Sequence, residues 1–199
     1  ATDVLRIFGS DLATELPTIM AAQEELDEYT RGLIAERRSV PLDDLLTDLI
    51  SAEEAGDKLS NEELVMMVEA VIVGGTDTTR NQLGLALALF AEHPDQWELL
   101  RNDPSLAPRA VEEVMRYNGA VGGTIRFASE DIEYNGVLFP KGTFMSTSMA
   151  TGNFDAAVFP EPNTFNILRP PVGQPHLSLG AGIHYCLGAS LARAELQEA

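Results

Sequence analysis

Apolar residues recur every three or four positions along the first part of the chain. They do so over residues 17–38, where Pro17 suits the first turn of a helix because its missing N–H is not needed there. A second run with the same spacing follows Pro41, and Gly56 is a suitable stop for it. The pattern therefore predicts two helices, one over residues 17–38 and one that ends near Gly56.

A much longer helix is predicted after these two. Ser60 and Glu63 have the spacing of a capping box, in which each side chain accepts a hydrogen bond from a backbone N–H of the first turn. The helical pattern then continues toward His93, a length of about 45 Å at the helical rise. Because residues 65–73 are almost wholly apolar, we expect this helix to cross the core of a domain.

The pattern changes toward the end of the chain. Asn135-Gly136 separates residues 132–134 from residues 137–139, and this dipeptide favours a type I′ hairpin turn because both central positions take positive φ. Residues 151–178 hold five of the eleven prolines and few periodic apolar residues, so we expect an extended, meandering segment. A small sheet followed by irregular chain is predicted.

Shorter helices complete the pattern. Pro94 and Pro108 each open one, the second ending near Tyr117, and a final helix begins close to Leu187. No internal repeat is visible. The predicted fold class is therefore mainly α with a small β part.

Length and composition bound the domain organisation. At 199 residues and 45% hydrophobic, the chain is long enough for one domain with a substantial core. We predict a single domain over residues 1–199. Its helical part covers residues 1–119, and residues 120–199 hold the hairpin, the meander and a loop with the single cysteine.

The net charge argues against two classes of partner. Lys plus Arg number 13 against 31 Asp plus Glu, a formal charge of -18, so nucleic acid and anionic membranes would be repelled. One cysteine cannot make an internal disulfide, and no apolar run approaches the roughly 20 residues of a membrane span. We expect a cytoplasmic protein without nucleic-acid or membrane partners. Because the chain lacks an initiator Met and a secretory signal pattern, we also expect an internal piece of a longer protein.

The segment LGAGIHYCLGASLARAE, residues 179–195, carries the first chemical motif. Cys186 lies just before a helical stretch, and a helix N-terminus stabilises the thiolate, which is the metal-binding form of cysteine. Gly180, Gly182 and Gly188 allow the backbone to approach a flat macrocycle closely. Taken alone, a lone cysteine is more often buried and inert. A structural zinc site needs four Cys or His ligands, which one Cys and three scattered His do not supply.

A second motif, VGGTDTTRN, lies in the middle of the long helix at residues 73–81. Two adjacent glycines inside a helix cost roughly 1 kcal/mol each relative to Ala, which indicates that something close by needs the space. Asp77 and Thr78 add a carboxylate and a hydroxyl to the same stretch, and hydroxyls bonded to the preceding turn loosen or bend helices. The alternative is helix packing beside a solvated Asp77.

A third motif is EEVMR, in which Glu113 and Arg116 are three residues apart on one helix and can face each other. As a bare spacing this signal is weak, because most such pairs lie on the solvated surface.

LGAGIHYCLG resembles the haem-binding loop of cytochromes P450, usually written Phe-Gly-x-Gly-x-x-x-Cys-x-Gly. Only Leu179 departs from it, at the position where the family usually has Phe. The resemblance implies a partial cytochrome P450 fold, haem b (iron protoporphyrin IX) as cofactor and Cys186 as the axial iron ligand. It also implies that His184 binds a haem propionate. Full members of the family are about twice as long as this chain.

The other two motifs fit the same family. Residues 74–79 resemble its oxygen-binding groove, which implies that Gly75 lies against the cofactor and that Asp77 and Thr78 relay protons to dioxygen. The pair Glu113 and Arg116 resembles the family's Glu-x-x-Arg pair, which organises the fold on the cysteine side and is not catalytic.

Two arginines also fit the family. Arg169 resembles the arginine that completes the Glu-x-x-Arg network. Arg126 resembles a strand arginine that binds a haem propionate, which a guanidinium can bind in a bidentate manner. Phe154 stands in Asn-Phe-Asp, where the family commonly has Asn-Arg-Asp.

The function implied is that of a haem-thiolate monooxygenase. Such an enzyme inserts one atom of dioxygen into a small organic substrate, with electrons from a ferredoxin or a flavoprotein. Peroxide-driven oxygenation is a first alternative, although a proton relay at Asp77 and Thr78 would then be superfluous. A second alternative is an acidic helical interaction module that has kept the motifs but binds no haem.

Overall fold

A computed structural model of the protein describes residues 2–9, 11–54 and 59–199. The chain divides into two compact units, Ala1–Asp77 and Thr78–Ala199. The division falls inside a helix and not near residue 119, where the sequence changes character.

The first unit is helical throughout its described part. A short 3₁₀ helix at Val4–Phe8 precedes α1 (Leu12–Ser39), α2 (Leu45–Glu54) and the first half of α3 (Asn61–Glu92). Helix α1 begins earlier than predicted, so Pro17 lies inside it and not in its first turn. The reason is Asp11, whose carboxylate accepts from Thr14 N at 3.3 Å and caps the helix there. Helix α2 ends at Glu54, and the stop expected at Gly56 lies outside the described residues.

Side chains of all three helices form the core of this unit. The buried members are Ile34 of α1, Ile50 of α2, and Leu64, Val65 and Val68 of α3. The predicted capping box opens α3: Ser60 N donates to the Glu63 carboxylate at 2.7 Å, and Glu63 N donates to Ser60 Oγ at 3.3 Å. The apolar start of α3 therefore lies in a core, as its composition predicts.

The second unit contains the rest of α3 and the shorter helices. These are α4 (Pro94–Asn102), a 3₁₀ turn (Pro104–Leu106), α5 (Ala107–Tyr117), α6 (Met149–Gly152), a 3₁₀ turn (Gly182–His184) and α7 (Ala189–Glu198). Its core joins the end of α3 and α5 to irregular chain, through the buried residues Leu89, Ala110, Val114, Phe165 and Ile167. The prediction of a mainly α fold with a small β part is confirmed. No helix of the described residues has the length and apolar character needed to cross a membrane.

Two small antiparallel sheets account for the β part of the described chain. Strand β1 (Gly123–Phe127) pairs with β4 (Phe144–Ser148), and β2 (Ile132–Tyr134) pairs with β3 (Val137–Phe139). Asn135 and Gly136 connect β2 to β3 with φ values of 51° and 76°. Both are positive, as a type I′ turn requires, so the predicted hairpin is confirmed.

Residues 153–181 contain neither helix nor strand, in agreement with the predicted meander. Side chains hold its two ends together. Asn153 Oδ1 accepts from Leu177 N at 2.6 Å, and Asn153 Nδ2 donates to Ser178 Oγ at 2.9 Å. Ser178 Oγ in turn donates to Met115 O of α5 at 2.6 Å. The chain that enters the cysteine loop is thereby attached to α5.

Candidate functional site

Cys186 lies between the 3₁₀ turn Gly182–His184 and the start of α7. Its thiol is not in a disulfide, and the residue is half-buried. The loop closes on itself because Cys186 N donates to Leu179 O at 2.8 Å. Cys186 O accepts from Ala189 N at 3.2 Å, which leads directly into the helix. Cys186 therefore lies just before the N-cap of α7, as the sequence predicts.

Glycines shape the cysteine loop. Gly180 and Gly182 have φ values of 72° and 66°, which L side chains rarely adopt. A Cβ at position 180 would also lie 3.2 Å from His184 O, whereas a Cβ at position 188 would meet nothing within 4 Å. Gly180 and Gly182 thus serve the turn itself, and Gly188 leaves open space beside the helix start.

The surroundings of Cys186 fit a flat apolar group with a soft metal. Ile183 is 96% exposed and Leu187 is 76% exposed, so apolar side chains on both sides of the thiol are uncovered. Uncovered apolar patches mark binding surfaces. The described residues hold no cluster of three or more His, Cys, Asp or Glu. The donor set at Cys186 is therefore one sulfur, which suits the single protein ligand of a haem-thiolate centre.

The two residues assigned to haem propionates, His184 and Arg126, both have exposed side chains in the second unit. His184 ends the 3₁₀ turn beside Cys186. Arg126 lies on β1, where its Nη1 donates to Thr124 Oγ1 at 2.9 Å and to Ile125 O at 2.8 Å. Neither side chain is buried within the protein, so both remain accessible to an anionic partner.

The middle of α3 has open space at its glycines. A Cβ added at Gly74 or Gly75 would meet no atom within 4 Å beyond the helix itself. Thr76 Oγ1 donates to Ile72 O at 2.6 Å, so one hydroxyl of this stretch bonds to the preceding turn. Open space beside paired glycines is what a close-lying cofactor would require.

Asp77 and Thr78 are adjacent, and the division between the two units falls between them. Asp77 is 6% exposed, with its Oδ1 3.5 Å from Thr2 Oγ1. Thr78 is half-buried. The alternative of a solvated Asp77 is therefore wrong, because the carboxylate is buried. Burial of a carboxylate is costly unless polar partners compensate it.

The structure brings Glu113, Arg116 and Arg169 into one buried network. Arg116 binds the Glu113 carboxylate through two bonds, with Nε to Oε2 at 2.8 Å and Nη2 to Oε1 at 2.9 Å. Arg169 Nε donates to Glu113 Oε2 at 3.0 Å. The remaining donors of Arg116 bind the carbonyls of the meander residues Asn153, Pro162 and Thr164. The network therefore ties α5 to the meander.

Phe154 contributes to the same network. Its ring centroid lies 5.4 Å from Arg116 Cζ, and the rings of Tyr117 and Phe159 lie at 5.6 and 5.5 Å. Cation–π contacts of this kind stabilise a desolvated guanidinium. The departure of Phe154 from the family's usual arginine thus has a structural role here, as part of an aromatic surrounding for Arg116.

Sequence reasoning missed several polar residues that shape the site. Gln82 of α3 is buried, donates to Asn118 O at 3.0 Å and accepts from Ala120 N at 2.8 Å. It joins α3 to the chain that follows α5. No local spacing signals such a bond, because its partners are distant in sequence. Asn153 and Glu112 were missed for the same reason, because their partners are also distant in sequence.

Comparisons with known proteins agree with this geometry. The sequence matches the family model of Cytochrome P450 over residues 3–199. It is 39% identical over 195 residues to a Steroid C26-monooxygenase of Mycobacterium tuberculosis, covering 98% of this chain and 52% of that protein. It is 40% identical over 183 residues to the Nocardicin C N-oxygenase of Nocardia uniformis subsp. tsuyamanensis, covering 91% and 45%.

Solved structures show the same relationship. The crystal structure of myxobacterial cytochrome P450 CYP267B1 in complex with myristic acid aligns with a TM-score of 0.88 and 38% identity, over 98% of this chain and 48% of that one. The chain spans about half the length of the curated relatives it matches. The chain therefore belongs to the cytochrome P450 family, and it carries part of the P450 fold.

Proposed function

We propose that this chain supplies the haem-thiolate and oxygen-activating part of a monooxygenase that inserts one atom of dioxygen into a small organic substrate. The observation that carries the proposal is the loop around Cys186, where a single sulfur stands at a helix start between uncovered apolar side chains in a chain of the P450 family. Haem b, bound through this sulfur, would supply the activation of dioxygen.

The cysteine loop supports the proposal by its position directly before α7. The N-terminus of a helix carries partial positive charge, which suits an anionic ligand there. Gly188 leaves open space beside the start of α7, and Gly180 and Gly182 give the loop its turn. In α3, Gly75 leaves open space of its own. Arg126 and His184 would hold the two haem propionates by charge-assisted hydrogen bonds.

Asp77 and Thr78 would deliver protons. In this role the Thr78 hydroxyl would donate a proton toward dioxygen, and the Asp77 carboxyl would resupply it. Burial of Asp77 and the neighbouring glycine space support the assignment. A relay of this kind favours dioxygen with electrons from a ferredoxin or flavoprotein over peroxide, which already contains its protons.

The substrate is proposed only as a class. The names of two relatives, a steroid C26-monooxygenase and a nocardicin C N-oxygenase, describe different substrates. Family membership therefore supports the type of reaction and leaves the small organic substrate unspecified.

The absorbance spectrum of the ferrous carbonyl form tests the proposal. Thiolate ligation gives a strongly red-shifted main band, and we expect it in the haem-loaded, full-length protein. Cys186→Ser should abolish this band, because a neutral hydroxyl is a poor substitute for a soft anionic sulfur. A band that persists in Cys186→Ser would show that Cys186 is not the ligand. A wild type that takes up no haem would favour an interaction module instead.

A further inference from the structure

Four polar side chains form a second network beside the cysteine loop. Arg193 of α7 binds both carboxylate oxygens of Glu112 on α5, with Nε to Oε1 at 2.5 Å and Nη2 to Oε2 at 3.1 Å. Its remaining Nη1 donates to Tyr185 Oη at 2.9 Å. Tyr185 directly precedes Cys186, so Arg193 connects the helix after the cysteine to the residue before it.

His176 attaches the other end of the loop to the same carboxylate. Its Nε2 lies 3.2 Å from Glu112 Oε2. Its Nδ1 accepts from Ser178 N at 3.2 Å, so the same ring is also held by the chain that enters the cysteine loop. Glu112 therefore contacts the chain on both sides of Cys186, at His176 before the loop and at Arg193 in the helix after it.

The charge of Glu112 is stable in this setting. Burial raises its pKa, but hydrogen bonds from His176 and Arg193 outweigh burial and lower the pKa to about 2. The carboxylate thus stays ionised at any ordinary pH and keeps its acceptors for Arg193. Two parallel bonds from one guanidinium also fix the direction of the Arg193 side chain, which a single bond would not.

Glu112 and its neighbour Glu113 have separate partners. Glu113 accepts from Arg116, Arg169 and Asn166 N, none of which contacts the cysteine loop. The resemblance to the family accounts for Glu113 and assigns nothing to Glu112. Glu113 thus connects α5 to the meander, and Glu112 connects α5 to the chain around the cysteine loop.

We propose that Glu112 is a positioning residue for Cys186, acting through Arg193 and Tyr185 on one side and through His176 on the other. It sets the angle at which the sulfur is presented and keeps the loop from relaxing away from the metal. Partners beyond the direct ligands orient those ligands in metal sites generally. This inference rests on the proposed function, because it takes Cys186 as the iron ligand.

The test uses the haem-loaded, full-length protein with Glu112→Gln, Arg193→Lys and Tyr185→Phe. The measurement is the rate at which the red-shifted ferrous carbonyl band converts to the unshifted band of a neutral thiol, with the Fe–S stretching frequency recorded by resonance Raman. We expect conversion about tenfold faster in Glu112→Gln and in Arg193→Lys, with a lower Fe–S frequency. Tyr185→Phe should act in the same direction but less, because it removes only the last link.

Glu98→Gln is the matched control, because Glu98 pairs with Arg101 at 2.7 Å on the exposed surface of α4. It should convert at the wild-type rate. The double variant Glu112→Gln with Arg193→Lys should be no worse than Glu112→Gln alone, because that substitution already breaks the path through Arg193.

Wild-type conversion and an unchanged Fe–S frequency in Glu112→Gln would overturn the inference. If Glu112→Gln does not fold, Arg193→Lys and Tyr185→Phe decide, and wild-type rates in both variants overturn the inference. A red-shifted wild-type band with unchanged variants refutes only the role of Glu112, whereas a wild type without that band refutes the proposed function.

Discussion

The network around Glu113 and the loop around Cys186 belong to the same unit but differ in how far the protein completes them. In the network, the side chains of Arg116 and Glu113 are 2% and 4% exposed and make bonds within the protein. At the loop, Ile183 and Leu187 are 96% and 76% exposed. The scaffold is therefore closed by the protein's own residues, whereas the apolar side chains beside Cys186 are uncovered.

The difference lies in side chains and not in the backbone. The loop backbone is held by Cys186 N to Leu179 O at 2.8 Å and by Gly180 N to Leu177 O at 2.7 Å. Its polar side chains at Tyr185 and Arg193 are also paired. A loop with fixed backbone and uncovered apolar side chains is preorganised for its cofactor, since little conformational entropy remains to be lost on binding.

Breaking the scaffold should have the largest effect. Arg116→Ala leaves buried carbonyls and part of the Glu113 carboxylate without donors, and removing one partner of a buried pair costs about 3–5 kcal/mol of unfolding free energy. Urea denaturation of the purified protein measures this loss. Arg101→Ala, which breaks an exposed pair, should cost no more than about 1 kcal/mol. Equal losses in the two variants would show that the network adds nothing beyond a surface pair.

The next effect concerns the accessible cations of the site. We expect Arg126→Ala and His184→Ala each to lose one charge-assisted hydrogen bond to a haem propionate, worth roughly 1.5–3 kcal/mol. Transfer of haem to an acceptor protein measures the result as faster haem loss, while the ferrous carbonyl band keeps its position. Haem loss at the wild-type rate in both variants would return them to ordinary surface residues.

A somewhat smaller effect is expected at Thr78. Thr78→Ala should bind haem and substrate normally but release peroxide in place of product, because protons no longer reach dioxygen productively. Product formed per reductant consumed should fall about tenfold. Thr79→Ala, the next residue along α3, is the matched control and should keep its coupling. If Thr78→Ala stays coupled, the hydroxyl has no part in the mechanism.

The smallest effect is a pH dependence at Glu112, which connects scaffold and loop. Its folded pKa of about 2 lies below the ordinary 4.5, so the group stabilises the fold above pH 4.5 and loses this effect as the pH falls toward 2. The side chain is 41% exposed, so we expect only about 1 kcal/mol at neutral pH. The unfolding free energies of wild type and Glu112→Gln should converge in acid. A difference between them that stays constant with pH would show that the lowered pKa of Glu112 is not its cause.

Local sequence patterns determined much of this protein. Ser60 with Glu63 opens α3, and Asn135-Gly136 makes the hairpin turn, because each depends on bonds between residues close in the chain. The glycines and the helix start around Cys186 are also local, which is why the candidate ligand can be named without a structure. Even a local pattern can mislead, as at α1, where the Asp11 cap begins the helix well before Pro17.

Only the tertiary structure decided what these patterns contact. The spacing of Glu113 and Arg116 fits an exposed pair equally well, and burial beneath the meander made it a scaffold. Glu112 and Arg193 lie 81 residues apart, and no periodicity records such a pair. Hydrogen bonds across that distance form only after helices and loops pack together, because packing and not sequence spacing brings their donors and acceptors within reach.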